Sequence, residues 1–237
     1  NVSCCNGQDS IAKMLLGQGA DINICDIEGC SPLYNASRNG HDSIVELLLD
    51  NGADLNIYSN YGFSPLYAAI QKGHDRAILI LLNHGADIHV CSKYGDTPLN
   101  IACYNGHENM VHLLLDRGAN VNLCGKNRAS ALAKACEHGC DKIVQLLLGK
   151  GADISLCMEN GDSPLFKACQ NRHVRTVEIL LKNGANINFC SKNGISPLFI
   201  ACQNGHESTV QLLLSNGADI NLCDTNKETP LHKAIEG

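Results

Sequence analysis

Apolar residues along this chain fall into short clusters that end at glycines. In residues 191–223 one cluster lies within Leu198–Cys202 and is followed by Gly205, and a second lies within Val210–Leu214 and is followed by Gly217. Glycine is typical of a helix C-terminus because it adopts the left-handed backbone conformation without penalty. The pattern therefore predicts two short helices, each with an apolar face, and then a hairpin-like turn.

The same arrangement recurs every 33 residues without insertion. A proline–leucine pair such as Pro197-Leu198 marks the first helix, and Ser196 before it suits an N-cap followed by proline at the first helical position. In one copy the pair has become Ala131-Leu132. The period predicts full repeats 26–58, 59–91, 92–124, 125–157, 158–190 and 191–223, with partial repeats 1–25 and 224–237.

Helices of this length are too short to be stable alone in water. Neighbouring repeats must cover their apolar faces, which gives a stack of units with one continuous core. We therefore expect residues 1–237 to form a single array rather than two domains.

The repeated pattern D/S-x-x-G-x-S/T-P-L-x-x-A-x-x-x-G-H-x-x-x-V-x-L-L-L-x-x-G-A-D-I-N resembles the ankyrin repeat over the whole chain. The resemblance implies an all-α solenoid, in which helix–turn–helix units are joined by β-hairpin-like turns in a curved, right-angled stack. It also implies a non-enzymatic scaffold that binds a protein or peptide on its concave face, formed by the turn tips and first helices. A cofactor is not expected.

Repeat 125–157 departs most from the pattern. Arg128 stands where the turn glycine belongs, Ala131 replaces the proline, and Cys140 replaces a histidine. Arg172 and Lys227 also replace pattern glycines. A residue other than glycine in a left-handed turn costs roughly 1–2 kcal/mol, so we expect residues 125–157 to be the least stable part of the stack.

The fourteen cysteines follow the same period. One set ends the turns (Cys25, Cys91, Cys124, Cys157, Cys190, Cys223), a second lies in the first helices (Cys4, Cys103, Cys136, Cys169, Cys202), and Cys5, Cys30 and Cys140 fall outside both. Equivalent residues of packed helices lie roughly 8–10 Å apart, whereas a disulfide needs Cα atoms within about 7 Å. We therefore expect reduced thiols, more accessible at the turn ends, in a cytoplasmic or nuclear protein.

Cysteine and histidine also recur four residues apart, as in Cys103/His107, Cys169/His173 and Cys202/His206. The residue before each histidine should end the first helix, and two ligands fall short of the four in a structural zinc site. A metal is therefore not expected, although a thiol-based redox or metal role remains an alternative.

Composition narrows the function further. The net charge is −6 and no basic run is present, which argues against nucleic acid, and no apolar stretch approaches the 18 residues of a membrane span. Phosphate-loop, dinucleotide and zinc-protease motifs are missing from the sequence. We expect a monomeric array that binds another protein or peptide. The chain starts at Asn1 without methionine, as expected of a piece of a longer array, so a regulatory array of a larger enzyme or channel is an alternative.

A binding surface is expected where positions vary between repeats while core positions repeat. Five of the ten aromatic residues fall on such positions in repeat 59–91, in repeat 92–124 or at the turn before them, together with polar neighbours. The predicted partner-binding residues are Tyr58, Tyr61, Phe63, Tyr94, Tyr104, Lys93, Asp96, Gln71 and Lys72. Aromatic anchors, tyrosine in particular, contribute much of the energy of interfaces. The alternative is that these rings only pack on neighbouring turns.

Overall fold

The computed structural model describes residues 7–236 and divides into two compact units, Asn1–Ala119 and Asn120–Gly237. The helices of the first unit are α1 (Asp9–Gly17), α2 (Pro32–Asn39), α3 (Asp42–Asp50), α4 (Pro65–Lys72), α5 (Asp75–Asn83), α6 (Pro98–Tyr104) and α7 (Glu108–Asp116). The second unit has a 3₁₀ turn (Lys126–Arg128), α8 (Ala131–Glu137), α9 (Asp141–Gly149), α10 (Pro164–Gln170), α11 (Val174–Lys182), α12 (Pro197–Gln203), α13 (Glu207–Ser215) and α14 (Pro230–Glu236).

Helix pairs recur through both units as the sequence period predicts. Between residues 7 and 236 the backbone forms helices, turns and irregular connections and contains no strand, which confirms the all-α prediction. No helix in that range is long and apolar enough to cross a membrane.

The first helix of each pair begins at a side-chain cap. The Ser196 hydroxyl accepts a hydrogen bond from the backbone N–H of Phe199 at 3.1 Å, with Pro197 at the first helical position. Ser130 caps α8 in the same way, at 3.1 Å from the N–H of Ala133. The proline lost at Ala131 therefore leaves the cap in place, because the serine hydroxyl and not the proline satisfies the orphan N–H.

Three cations occupy left-handed positions that the pattern reserves for glycine. Arg128, Arg172 and Lys227 have φ of 58°, 63° and 64°, as the sequence predicted. Asn127 is also left-handed, with φ 55°, which the pattern did not indicate. Two successive strained residues make the turn of repeat 125–157 the most irregular of the described turns.

Leucines at one register of the second helices form the core. Leu48, Leu81 and Leu114 in the first unit are 0–1% exposed, as are Leu147, Leu180 and Leu213 in the second. Each fully buried leucine contributes about 1.5–3 kcal/mol of hydrophobic free energy. The short helices are thus stabilised by contacts with their neighbours.

Polar side chains tie one repeat to the next. The Asn188 side-chain oxygen accepts a hydrogen bond from the N–H of Asp219 at 2.9 Å. Asn23 and Asn122 make the same contact with the N–H groups of Asp54 and Asp153. The repeated asparagine of the turn is therefore a connection between repeats as well as a turn former.

The repeated Gly–His pair also connects repeats. His173 Nε2 lies 3.1 Å from the carbonyl oxygen of Glu137 in the preceding first helix, and its ring lies where a Cβ on Gly139 would stand, 2.4 Å from Nδ1. In the next repeat Arg172 replaces this glycine, and His206 Nδ1 lies 3.0 Å from the carbonyl oxygen of Cys169. Where the glycine is missing, the histidine thus bonds through its other ring nitrogen, to a carbonyl one residue earlier in the preceding first helix.

Candidate functional site

The tips of successive turns lie side by side because their backbones are hydrogen-bonded. In the first unit the N–H of Asn60 donates to the carbonyl of Glu28 at 2.9 Å, and the N–H of Lys93 donates to that of Tyr61 at 3.3 Å. In the second unit the N–H of Lys192 donates to the carbonyl of Asn160 at 3.1 Å. Residues at one register of the repeat therefore present their side chains on adjacent tips.

Two tyrosines and a lysine meet on the tips of the first unit. The Lys93 ammonium lies 5.0 Å from the centre of the Tyr61 ring and 5.8 Å from that of Tyr94, within cation–π range. The same ammonium donates to the carbonyl of Asn60 at 3.3 Å. Tyr61 is 49% exposed and Tyr94 41%. We call Tyr61, Lys93 and Tyr94 the aromatic tip.

Phe63 connects the aromatic tip to the core and is only partly exposed. Its ring stacks on Tyr67 with centroids 4.6 Å apart and lies 6.1 Å from Tyr61 and 6.2 Å from Tyr94. Phe63 is half-buried and packs on a buried cluster that includes Tyr34. Its ring supports the exposed tyrosines. For this residue the alternative that the rings pack on neighbouring turns therefore applies.

Tyr67 is the member of this group that sequence reasoning missed. It follows Pro65-Leu66 in the first turn of α4 and is buried, and the sequence pattern did not connect it with the surface positions. Burial raises the pKa of its hydroxyl, and the charge of Asp96 raises it further. The four-residue spacing of Phe63 and Tyr67 across the start of α4 was the signal that could have linked them.

Of the remaining predicted residues, Asp96 lies near enough to Tyr67 for its charge to raise the pKa of that hydroxyl, whereas the others lie at helix ends or late in a turn. Gln71 and Lys72 at the end of α4 and Tyr104 at the end of α6 are exposed, and the Asn105 side chain donates to the carbonyl of Gln71 at 3.4 Å between these helix ends. Tyr58 is exposed late in a turn, and Asp96 is half-buried. The structure thus brings together Tyr61, Phe63, Lys93 and Tyr94 from the predicted set.

The cysteines were the second candidate site. The twelve within the described residues are thiols; Cys4 and Cys5 lie outside that range. As predicted, the turn-end set is the more accessible, with Cys25, Cys91 and Cys223 exposed and Cys103, Cys136 and Cys169 buried.

Burial protects several thiols from ionisation. It raises the pKa of Cys30 to about 11, with smaller contributions from nearby carboxylates. Burial is also the main reason that the pKa values of Cys91, Cys157 and Cys190 are raised, followed by the charges of Asp96, Asp162 and Asp219 respectively. Reactive cysteines need a lowered pKa, so these environments disfavour a redox role.

The cysteine–histidine pairs do not share a helix. Cys169 lies in α10, whereas His173 follows its end and precedes α11, as the intervening residue predicted. Within residues 7–236 no group of three or more histidine, cysteine or acidic side chains is arranged to hold a metal ion.

The chain is a helical-repeat protein, because its capped helix pairs recur at one period and bury a leucine at the same position of each second helix. Side chains are displayed on the aligned tips of its turns. The chain belongs to the ankyrin repeat family: the family model described as "Ankyrin repeats (3 copies)" matches residues 1–90, 78–158, 126–189 and 165–237. Proteins of this family generally mediate protein–protein interactions and are typically non-enzymatic.

A solved structure agrees with this assignment. The crystal structure of the human ASB11 ankyrin repeat domain is similar, with a TM-score of 0.81 and 27% identity over 92% of this chain and 96% of that chain. A comparison with curated protein sequences found no match.

Proposed function

We propose that this protein is a non-enzymatic binding module that holds a segment of another protein against the aromatic tip. The observation that carries the proposal is the contact of the Lys93 ammonium with two exposed tyrosine rings. Aromatic side chains that remain exposed on a supported base are typical interface anchors. Tyr58, Gln71, Lys72, Asp96 and Tyr104 are proposed as its surroundings.

A comparison of the two units supports this location. The register occupied by Tyr61 and Tyr94 in the first unit is occupied by asparagine in the second, at Asn127, Asn160, Asn193 and Asn226. Asparagine suits a turn for local reasons, since its side chain hydrogen-bonds nearby backbone. Tyrosine is not needed to form these tips, and its presence on two adjacent ones therefore calls for another reason.

The packing beneath the two tyrosines also supports a binding site at the aromatic tip. Phe63 stacks on the buried Tyr67 and touches both exposed tyrosines, so their rings rest on a rigid base. A side chain that is already ordered loses less entropy on binding, and immobilising one otherwise costs about 0.5–1.5 kcal/mol. The aromatic tip thus combines exposure with order.

The environment of the thiols supports an intracellular location. Twelve cysteines remain thiols in the described residues, some of them exposed. Reducing compartments preserve such thiols, whereas exposed thiols in secreted proteins tend to pair. We propose a cytoplasmic or nuclear protein that acts as a monomeric array.

The test is capture of partners from a cell extract by three purified proteins. The tip variant carries Tyr61→Asn and Tyr94→Asn, which are the residues that the second unit has at this register. The matched control carries Phe189→Asn, which removes a ring that is 39% exposed in the second unit. Phe63 stays unchanged because its loss would disturb the core.

We expect the wild type and the Phe189→Asn control to retain a partner that the tip variant loses, with all three proteins unfolding at similar urea concentrations. Equal capture by the tip variant would place the binding surface elsewhere and refute the proposal. Capture that fails only in the Phe189→Asn protein would move the site to the second unit.

A further inference from the structure

We infer that the aromatic tip recognises an acidic side chain, aspartate or glutamate, that stands next to an apolar one in the partner. The inference rests on the proposed function, because it names the chemistry that the same site selects. It depends on the position of the Lys93 ammonium, on the charges of the first unit, and on the contrast with Lys192.

The ammonium of Lys93 is held but not saturated by its contacts. An ammonium has three N–H donors, and the hydrogen bond to the carbonyl of Asn60 at 3.3 Å uses one of them. The rings of Tyr61 and Tyr94 attract its charge through their faces. Lys93 is nevertheless exposed, so a carboxylate can reach it and accept a charge-assisted hydrogen bond.

The two tyrosine rings favour an apolar residue next to the acidic residue of the partner. The Tyr61 and Tyr94 rings both have their centres within about 6 Å of the ammonium and expose large parts of their surface. An apolar side chain next to the acid would cover a ring and exclude water from the ion pair. A shielded ion pair is worth more than a fully solvated one, since the effective dielectric constant is lower.

The charges of the first unit favour the same partner. Its second helices carry exposed acidic residues such as Glu46, Asp50 and Asp75, whereas Lys72 and Lys93 belong to a first-helix end and a tip. Asp26, an acid of the tip region, is engaged by the N–H groups of Glu28 and Cys30 and by the Asn35 amide. The second helices therefore present several exposed acids to an acidic segment, whereas the tips present Lys93, with Glu28 of the neighbouring tip as an exposed acid.

Lys192 provides a control within the chain. It occupies the same register as Lys93 in the second unit, and its backbone makes the same tip hydrogen bond, to Asn160. Its neighbours at the ring positions are Asn160 and Asn193. The two lysines therefore make the same backbone hydrogen bond, and they differ in whether tyrosines or asparagines stand beside them.

A single ammonium fits a carboxylate better than a phosphate. Phosphate recognition in proteins usually draws on arginine forks or several donors that match its three oxygens. The aromatic tip supplies one lysine. We therefore assign the partner residue as aspartate or glutamate and treat a phosphorylated residue as a result that would contradict the inference.

The experiment selects phage-displayed short random peptides on the purified full chain. Enriched peptides are synthesised, and their affinities are measured for the wild type, Lys93→Met, Lys192→Met and the Tyr61→Asn/Tyr94→Asn protein. Methionine keeps an unbranched apolar chain beside the rings and removes the charge. Each peptide is also made with its acid replaced by the amide, and with phosphoserine in its place.

We expect the enriched peptides to share an aspartate or glutamate beside an apolar residue. Lys93→Met should weaken their binding about tenfold, as expected for loss of a charged hydrogen bond, while Lys192→Met leaves it unchanged. The amide peptide should bind the wild type as weakly as the acidic peptide binds Lys93→Met. Higher salt should weaken binding to the wild type more than binding to Lys93→Met.

The outcomes separate this inference from the proposed function. If peptides bind and the double tyrosine variant loses them while Lys93→Met does not, the acidic preference is wrong and the binding site stands. A phosphoserine peptide that binds more tightly than the acidic one overturns the carboxylate assignment. If no peptide is enriched, or if the double tyrosine variant binds as well as the wild type, both the inference and the proposed peptide site fail.

Discussion

Replacing Gly62 by alanine should destabilise the first unit by more than the loss of a turn glycine alone. Gly62 has φ +73°, and a Cβ there would lie 2.7 Å from the backbone nitrogen of Lys93. That nitrogen donates the hydrogen bond that joins two tips. A contact this short cannot be kept, so the tip carrying Lys93 must move away.

Two contributions make up the expected loss of stability in Gly62→Ala. A non-glycine residue in the left-handed region costs roughly 1–2 kcal/mol, and losing a backbone hydrogen bond costs about 0.5–1.5 kcal/mol more. We therefore expect Gly62→Ala to lower the free energy of unfolding by about 1.5–3.5 kcal/mol. The same shift would separate Lys93 from Tyr61 and weaken partner binding.

Gly52 is the matched control because it isolates the backbone contribution. Its φ is +85°, and a Cβ there would meet nothing within 4 Å. Gly52→Ala should lower the free energy of unfolding by about 1–2 kcal/mol and leave partner binding intact. Urea unfolding followed by circular dichroism compares the two variants. Equal destabilisation would refute the close approach of the tips.

Two further predictions concern the thiols and the irregular repeat. The pKa of Cys30 is about 11 in the folded protein against an ordinary 9.0, so the folded state holds the proton more tightly and its stability should fall as the pH rises from about 9 to 11. The unfolding temperature of the wild type should therefore fall more over this interval than that of Cys30→Ala. An identical fall in both proteins would contradict the burial argument. Backbone amides of residues 125–140 should exchange with deuterium fastest among the interior repeats, since Asn127 and Arg128 are both left-handed; mass spectrometry that finds their exchange slowest would refute this.

Local sequence signals predicted the helices well. The helix cap at Ser196 and the left-handed turn at Arg172 each depend on residues a few positions apart. Such interactions are encoded by neighbours in the sequence, and a pattern that recurs through the chain makes them readable. The proposal that all repeats form one array stays a prediction.

The candidate site was less predictable because exposure and contact depend on neighbouring repeats. Phe63 occupies a position that varies between repeats, yet it stacks on Tyr67 and packs on residues of the preceding repeat. Position in the repeat indicated a surface residue, whereas its size allowed it to fill the space between turns. A larger ring gains hydrophobic free energy by covering such space.

The sequence by itself determined the repeat, its helices, their caps and the left-handed turns, because these follow from residue types at fixed short spacings. It also identified Tyr61, Lys93 and Tyr94 as candidates, because they vary where the core does not. Only the tertiary structure placed the Lys93 ammonium within about 6 Å of both ring centres, with the carbonyl of Asn60 as its hydrogen-bond acceptor. Tyr94 is the neighbour of Lys93 in the sequence, but Tyr61 and Asn60 lie about one repeat away, and their distance from Lys93 is set by the hydrogen bonds and packing between repeats rather than by any local pattern.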